Sequence, residues 1–299
     1  MSPRVLVVVL NWNSAADCLR CLASLQRLTY AAVQVLVVDN GSTDDSLAQI
    51  RSGGFGVEVC ESNRNLGYAG GNNRGIREGL ARGFDYVWLV NPDVVVEADS
   101  LAALVEVGEA DPHNGMIGPL VYCMERPDEL LSAGGVFGRG RDWHRWIVEL
   151  DPHVPAAAAE VGFLSGCALL VKRTMVEAVG LLDERFFLYE EDVEWCYRAR
   201  RAGWRVAVAA RARVWHPDTR TRDRLAARVT YYITRNQLLL IRTHHLGARL
   251  AAGVLLRHLR TLVSWTVRPK WRHKRAQRRA LARALLDAAR GRWGAADGL

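Results

Sequence analysis

Apolar residues fall along the first hundred positions in short runs, each closed by a polar cluster. Val5–Leu10 and Tyr86–Val90 are unbroken, and Val33–Val38 and Val57–Cys60 are each interrupted once, by Gln34 and Glu58. Runs this short and continuous suit strands buried on both faces, as in a parallel sheet covered by helices. Between them the spacing becomes helical. Leu19, Leu22 and Leu25 predict a helix over Ala15–Leu28, capped by Asn13 or Ser14. A Ser/Thr/Asp-rich entry after Asp39 opens a second helix, and Gly70–Asn73 opens a third that reaches about Ala81. Strands alternating with helices imply right-handed βαβ units and a doubly wound α/β sheet.

The polar clusters close consecutive strands: Asn11 and Asn13, then Asp39, then Asn65 and Gly67, then Asn91 and Asp93. In open α/β sheets ligands bind at the carboxyl ends of strands. Asp39 is placed to accept bonds from a base imide or a ribose hydroxyl. Gly67, Gly70 and Gly71 are expected to let backbone approach a ligand, with the third helix offering free amides to an anion. Pro92 cannot continue a ladder, so the fourth strand stops there and delivers Asn91 and Asp93 to the sheet edge. A carboxylate beside an amide oxygen suits a hard divalent cation that also carries diphosphate oxygens. Asn-Pro-Asp is equally ordinary turn composition. No Gly-x-Gly-x-x-Gly follows the first strand, which disfavours a dehydrogenase-type dinucleotide fold, and no Gly-Lys-Ser/Thr phosphate loop is present.

Composition changes this picture mainly through charge. The 299 residues are 49% hydrophobic and 24% charged, as in an ordinary folded protein. Met1–Arg4 lead straight into an apolar run without a cleavage pattern, so the start reads as a first strand of a cytosolic protein. Cys18 and Cys21 have metal or redox spacing, but no second Cys/His pair answers them. In a helical pattern they read as a small apolar face. Residues 220–299 hold 19 Lys and Arg against 3 Asp and Glu, a net of +16, while residues 1–219 carry −8. A break near 220 and an anionic partner for the tail follow, either a phospholipid surface or a nucleic acid.

Three stretches carry a resemblance. Val9–Asn13, Val37–Asp44 and Asn65–Asn73 resemble family 2 glycosyltransferases, closest to the bacterial rhamnosyltransferase-like branch. The resemblance spans roughly residues 4–245. It implies a GT-A fold, a nucleotide-diphosphate sugar donor (dTDP-rhamnose as the lead), a divalent cation (Mg2+ or Mn2+) and inversion at the anomeric centre. In its light Asn91-Pro92-Asp93 is similar to the family's Asp-x-Asp metal motif, with Asp93 as the charged ligand. Donor binding is then expected of Asn11, Asn13, Asp39, Asn65, Gly67, Asn72 and Asn91.

The second half is consistent with this. Gly162–Val171 looks like the family's acceptor-side strand, broken by Ser165-Gly166-Cys167 where backbone meets a sugar. Glu190-Glu191-Asp192 at a helix start are partly explained by the helix dipole. Phe186, Phe187 and Leu188 before them argue against a surface loop. The family pattern puts the base on Asp192, with Glu191 as its rival. It makes His216, in Val214-Trp215-His216-Pro217, the second metal ligand, against the plainer reading of a histidine bonded to backbone. Gly166, Tyr189 and Trp195 are expected on the acceptor side. The loop Asp218–Thr221 departs from the Gly- or Ser-rich pattern common in the family.

The predicted organisation is a catalytic domain over residues 1–221, with a donor half to about 122 and an acceptor half after it. A basic helical extension occupies 222–299, and a chain ending near 245 is expected to stay folded. Leu255, Leu259, Leu262 and Val263 share one side of a helix at 246–268, while Arg249, Arg257, Arg260 and Arg268 cluster elsewhere. No apolar run is long enough to span a bilayer. Trp265, Trp271 and Trp293 among the arginines suit a helix lying in a headgroup layer at the inner face of the cell membrane, and a homo-oligomer interface is the alternative. The acceptor is expected to be lipid-linked or a polysaccharide of the cell envelope. A non-catalytic nucleotide- or nucleic-acid-binding protein is the competing class. A base plus a metal site favours an enzyme, and the tail holds no nucleic-acid module.

Overall fold

Val5–Asn11 (β1) is buried along its whole length because helices cover both of its faces. Leu6, Val8 and Leu10 point into one core while Val5, Val7 and Val9 point into another. In a computed structural model the described residues are 2–138, 144–148, 158–218 and 226–298. Strands Val33–Asp39 (β2), Glu58–Glu61 (β3) and Tyr86–Val90 (β4) run parallel with β1, in the order β3-β2-β1-β4. Helices Ala15–Leu25 (α1), Ser46–Ser52 (α2) and Gly67–Ala81 (α3) alternate with them. The expected βαβ order is present, with the first helix one turn shorter than its apolar spacing suggests.

Beyond β4 the sheet becomes mixed. Val95–Val96 (β5), helix Ser100–Ala110 (α4) and Asn114–Cys123 (β6) come next. The short strands Leu130–Ser132 (β7), Gly135–Phe137 (β8), His144–Trp146 (β9) and Ala158–Glu160 (β10) follow. Ala168–Lys172 (β11) lies antiparallel between β4 and β6. Its strand is shorter than the Gly162–Val171 expected, because Gly162–Cys167 forms an irregular lead-in. Helices Arg173–Val179 (α5) and Glu191–Arg201 (α6) precede Arg205–His216 (β12), which pairs parallel with β6. Cys18 and Cys21 lie in the core under α1 as an apolar face, and both are free thiols.

The C-terminal helices are Ala226–Thr243 (α7), Ala248–Val267 (α8) and Arg275–Ala289 (α9), with a 3-10 turn at Pro269–Lys274. The predicted boundary at 221/222 falls outside the described residues. The helix beyond it does not behave as an appendage: Leu239, Leu240 and Ile241 of α7 and Val254 of α8 belong to the main core. Tyr231 and Tyr232 of α7 pack with Ala280 and Ala284 of α9 and with Phe187. A chain ending near 245 would lose the α9 residues that pack on Tyr231 and Tyr232 of α7. Trp293 also packs on the main core rather than standing with the tail's other tryptophans.

Candidate active site

The carboxyl ends of β1 and β2 are stitched together by their own polar residues. Asp39 Oδ1 accepts hydrogen bonds from Asn11 Nδ2 at 3.1 Å and Ser42 Oγ at 2.6 Å, and Oδ2 accepts from the Ser42 amide at 3.0 Å. Asn13, with φ of +50°, exchanges bonds with Thr43: its Oδ1 accepts from the Thr43 amide at 2.8 Å. Asn40 joins β2 to the start of α3. It donates to Asn65 Oδ1 and to the Gly67 carbonyl, and accepts from the Leu66 amide. Asn40 and Ser42 were not singled out from the sequence, though both lie in the Asp39–Thr43 cluster. A carboxylate offers about four acceptor positions, so Asp39 keeps one for a ligand.

Asn91-Pro92-Asp93-Val94 is a tight turn, closed by the Val94 amide donating to the Asn91 carbonyl at 3.2 Å with Pro at its second position. Turn chemistry and ligand placement are thus compatible, because the turn aims Asp93. β5 follows at once and pairs antiparallel with β12, Val96 opposite Val214 and Val95 opposite Trp215. That register sets His216 beside Asp93, with Nε2 3.3 Å from Oδ1. Both side chains are partly exposed, at 16% and 19%, so a ligand can reach them. A carboxylate oxygen and an imidazole nitrogen suit Mn2+ or a similar divalent ion. Among the described residues no third His, Cys, Asp or Glu joins them. A bound diphosphate and water would add further ligands, which is how magnesium-type ions are commonly held.

Of the acids at 190–192, Glu190 closes a strained loop and Glu191 and Asp192 open α6 directly after it. Phe187, Tyr189 and Glu190 have φ of +63°, +66° and +71°, a region that non-glycine residues rarely occupy and that costs free energy at each position. Asn236 of α7 holds the loop. Its Nδ2 lies 2.8, 2.9 and 2.7 Å from the carbonyl oxygens of Phe186, Leu188 and Tyr189. Arg235, 1% exposed, adds a bond to the Phe186 carbonyl and is itself held by Tyr231 Oη and the Gly294 carbonyl. Gln237 donates to Glu190 Oε1 at 3.2 Å. The sequence placed these three residues on a helix resembling one of the family's but did not single them out for the site. No local pattern connects them to a loop at least 47 positions away.

Burial separates the two candidate bases. It pushes Asp192 up to about 6, while backbone donors from Gly166 (2.8 Å) and Val193 (2.8 Å) stabilise its charged form and keep the rise from going further. Burial, and then the neighbouring Asp192 charge, raises Glu191 well above the carboxylate range. Glu191 Oε2 has no hydrogen-bond partner among the described residues. Burial disfavours charge on both carboxyls, and the two backbone donors at Asp192 make it the better placed of the pair to carry one.

Gly166 and Cys167 bring the halves together. Gly166 N–H donates to Asp192, and the next carbonyl, that of Cys167, accepts from the Asn91 amide at 2.8 Å. Tyr68 of α3 donates to the Gly166 carbonyl. A Cβ at Gly166 would press on Tyr68 Oη at 2.7 Å, so the close approach serves the protein's own packing as well. The glycines of α3 need a similar correction. A Cβ at Gly71 or Gly75 would collide with Leu10 or Val8, and one at Gly79 would lie 2.6 Å from Val87. Gly71 therefore admits a strand, not a ligand. Gly67, at φ +73°, meets the Phe187 carbonyl, and Tyr68 N–H donates to that carbonyl at 2.6 Å.

Two other expected site residues occupy core positions. Asn72 is 1% exposed and gives its amide to the Tyr68 carbonyl of its own helix. Trp195 is fully buried, with Nε1 donating to the Gly180 carbonyl, so it cannot face an acceptor here. Tyr189 is half-buried and stays at the mouth of the acid loop.

Comparison with known proteins follows the same lines. Residues 3–231 match the family described as "Glycosyltransferase like family 2". An N-acetylglucosaminyl-diphospho-decaprenol L-rhamnosyltransferase of Mycobacterium tuberculosis is 34% identical over 229 residues, covering 70% of this chain and 75% of that one. A mannosyltransferase of Pyrobaculum calidifontis, solved with GDP-Man and Mn2+, superposes with a TM-score of 0.61 at 17% identity, over 97% of this chain and 88% of the other. GalNAc-T7, solved with UDP, GalNAc and Mn2+, also reaches 0.61 at 17% identity; 72% of this chain matches only 44% of that longer one. The expected GT-A-like architecture is the one observed, a mixed but mostly parallel sheet followed by helices. With the fold, the strand-end site and a family match across most of its length agreeing, this chain belongs to the family 2 glycosyltransferases.

Proposed function

We propose that this chain transfers a sugar, with dTDP-rhamnose as the lead donor, to a hydroxyl of a lipid-linked cell-envelope acceptor, inverting the anomeric centre. The observation that carries the reading is the Gly166–Cys167 link, which ties the buried Asp192 carboxyl to the turn bearing Asp93, beside His216 at the end of β12. Asp192 takes the proton of the acceptor hydroxyl as its oxygen bonds to the anomeric carbon and the bond to the diphosphate breaks. Asn11, Asn13, Asp39, Asn65, Gly67 and Asn91, at the strand ends, line the donor side, and Asp39 offers its remaining acceptor position to the base or ribose. Gly166 and Tyr189 border the acceptor side. A divalent cation held by Asp93 and His216 would neutralise charge gathering on the leaving diphosphate. Excluding water from the acid loop falls to Phe186 and Phe187, which are buried beneath it. The rhamnosyl donor and the diphospho-lipid acceptor are supported by the 34% identical relative, whose name contains both.

Attachment to an anionic membrane at its inner face is part of the same proposal. No described helix is long and apolar enough to cross a membrane. Leu255, Leu256, Leu259, Val263 and Val267 of α8 are nonetheless 41–66% exposed, beside the tail's arginines. Such a helix can lie in a headgroup layer. The donor is tested with a panel of dTDP-, UDP- and GDP-sugars, read as thermal stabilisation and metal-dependent hydrolysis. The expected result is a response largest for dTDP-rhamnose and abolished by chelation. A response confined to a UDP- or GDP-sugar would replace the donor, and no response to any would overturn the enzymatic reading of the site.

A further inference from the structure

The C-terminal helices form a second concave feature outside the strand-end site. A groove of about 560 Å³ lies between α8 and the 3-10 turn, with Arg257, Arg260 and Arg268 along it. Thr261 and Ser264 add hydroxyls, and Trp265 and Trp271 form one wall. That wall is braced by Lys274, whose Nζ lies 5.1 Å from the Trp265 ring and 5.0 Å from that of Trp271. Residues 248–274 contain seven Lys and Arg and no Asp or Glu, so nothing on these elements neutralises the groove.

We propose that this groove seats the diphosphate of the lipid-linked acceptor, with the lipid chain running onto the exposed aliphatic face of α8. The inference rests on the lipid-linked acceptor of the proposed function. Two further observations favour it over a solvated basic surface. The first is position. Arg257 Nη2 donates to Gln237 Oε1 at 2.8 Å, and Gln237 Nε2 donates to Glu190 Oε1 at 3.2 Å. The groove therefore ends two hydrogen bonds from the loop carrying Glu191 and Asp192. A diphosphate attached directly to the acceptor sugar has to be anchored close to the base that acts on that sugar.

The second observation is the division of α8 into faces. At about 100° per residue, Leu255, Leu256, Leu259, Val263 and Val267 share one arc, and Arg260 stands at its border with Ser264, Arg257 and Arg268. The remaining arc packs inward through Val254. A ligand with an anionic head and a long apolar tail satisfies both outer arcs at once. A nucleic acid would satisfy the arginines and leave the aliphatic arc in water. Guanidinium groups and hydroxyls are suited to phosphate oxygens, and paired arginines bind them most firmly.

The test uses the full chain in neutral detergent with a chelator, so that the donor site holds no metal. Binding of farnesyl diphosphate, farnesol and inorganic diphosphate is titrated for the natural protein and for the double variant Arg260→Gln with Arg268→Gln. Arg257 is left in place because it contacts Gln237. Farnesyl diphosphate is expected to bind at least about tenfold more tightly than either fragment, and the double variant to lose about tenfold for it and to weaken inorganic diphosphate while leaving farnesol unchanged, with unchanged circular dichroism. Equal binding by variant and natural protein overturns the proposal. So does displacement of farnesyl diphosphate by phosphatidylglycerol at equal concentration, which makes the groove a general headgroup site. Binding that behaves as expected without sugar transfer from any donor leaves the groove standing and overturns the proposed reaction. Transfer whose acceptor KM is unchanged in the double variant does the reverse.

Discussion

At the scale of single residues, the chemistry turns on how one protein environment treats neighbouring carboxyls differently. Asp192 has two backbone donors and Glu191 Oε2 has none, so burial raises both carboxyls while the donors restrain the rise at Asp192. Asp192→Asn is therefore expected to keep donor binding and to lower kcat by roughly 10²–10⁴. Glu191→Gln, which mimics the protonated form, is expected to retain most activity. The reverse pattern in steady-state kinetics would exchange their roles. A base must be deprotonated to act, so with Asp192 near 6 the value of kcat/KM should rise with pH up to about 6 and level off above it. A profile flat down to pH 5 would remove Asp192 from that role. Asp93→Ala should abolish divalent-ion dependence together with turnover while the fold persists, and His216→Ala should weaken both less. Activity titrated against Mn2+ separates these outcomes. Asp93 was legible in the sequence because it follows the end of an apolar strand at a proline, whereas Asp192 was reached through the family resemblance on a stretch where acids follow an apolar run. Asn40 and Asn236 were not, because what defines them is a set of backbone groups brought close only by folding.

At the scale of elements, alternating apolar runs and helical spacing were enough to place β1 to β4 and the helices between them. They were not enough for β5, whose two residues carry no periodicity, yet its pairing with β12 is what brings His216 to Asp93. Glycine was the other ambiguity. In α3 the same residue type answers to a ligand or to a strand, and the stripe Gly71, Gly75, Gly79 answers to the strand. Gly75→Leu should therefore cost stability, about 1–3 kcal/mol from overpacking, read as a lower midpoint in urea. The acid loop depends on α7 in a comparable way. Asn236→Ala removes the donor for three carbonyls and should lower kcat more than it raises the donor KM, since the strand-end residues are untouched. An equal change in both would assign Asn236 to global stability instead.

At the scale of the whole molecule, the change of charge near residue 220 suggested a detachable tail, and packing shows a shared core. The charge pattern reports on partners; the hydrophobic contacts of α7 report on the fold, and only the structure reveals that both belong to one segment. Removing residues 246–299 would uncover Tyr231 and Tyr232 and leave the Arg235 guanidinium without the Gly294 carbonyl. Such a chain is expected to aggregate or melt well below the natural protein in a thermal scan. The intact chain should co-sediment with anionic vesicles, less in high salt and little with neutral ones, since each surface cation contributes about 1 kcal/mol that salt screens.

The arrangement of the acid loop also has a consequence in time. Domains form from the N-terminus as the chain is made, and β1 to β4 with their strand-end residues are complete before residue 100 has been added. The loop at 186–190 takes its strained shape only when Arg235 and Asn236 arrive, and Arg235 is fixed in turn by Gly294, made later still. Under the proposed function, the residues that hold a donor are thus made before those that fix the base, and a growing polypeptide is expected to stay inert until α9 and Gly294 have docked.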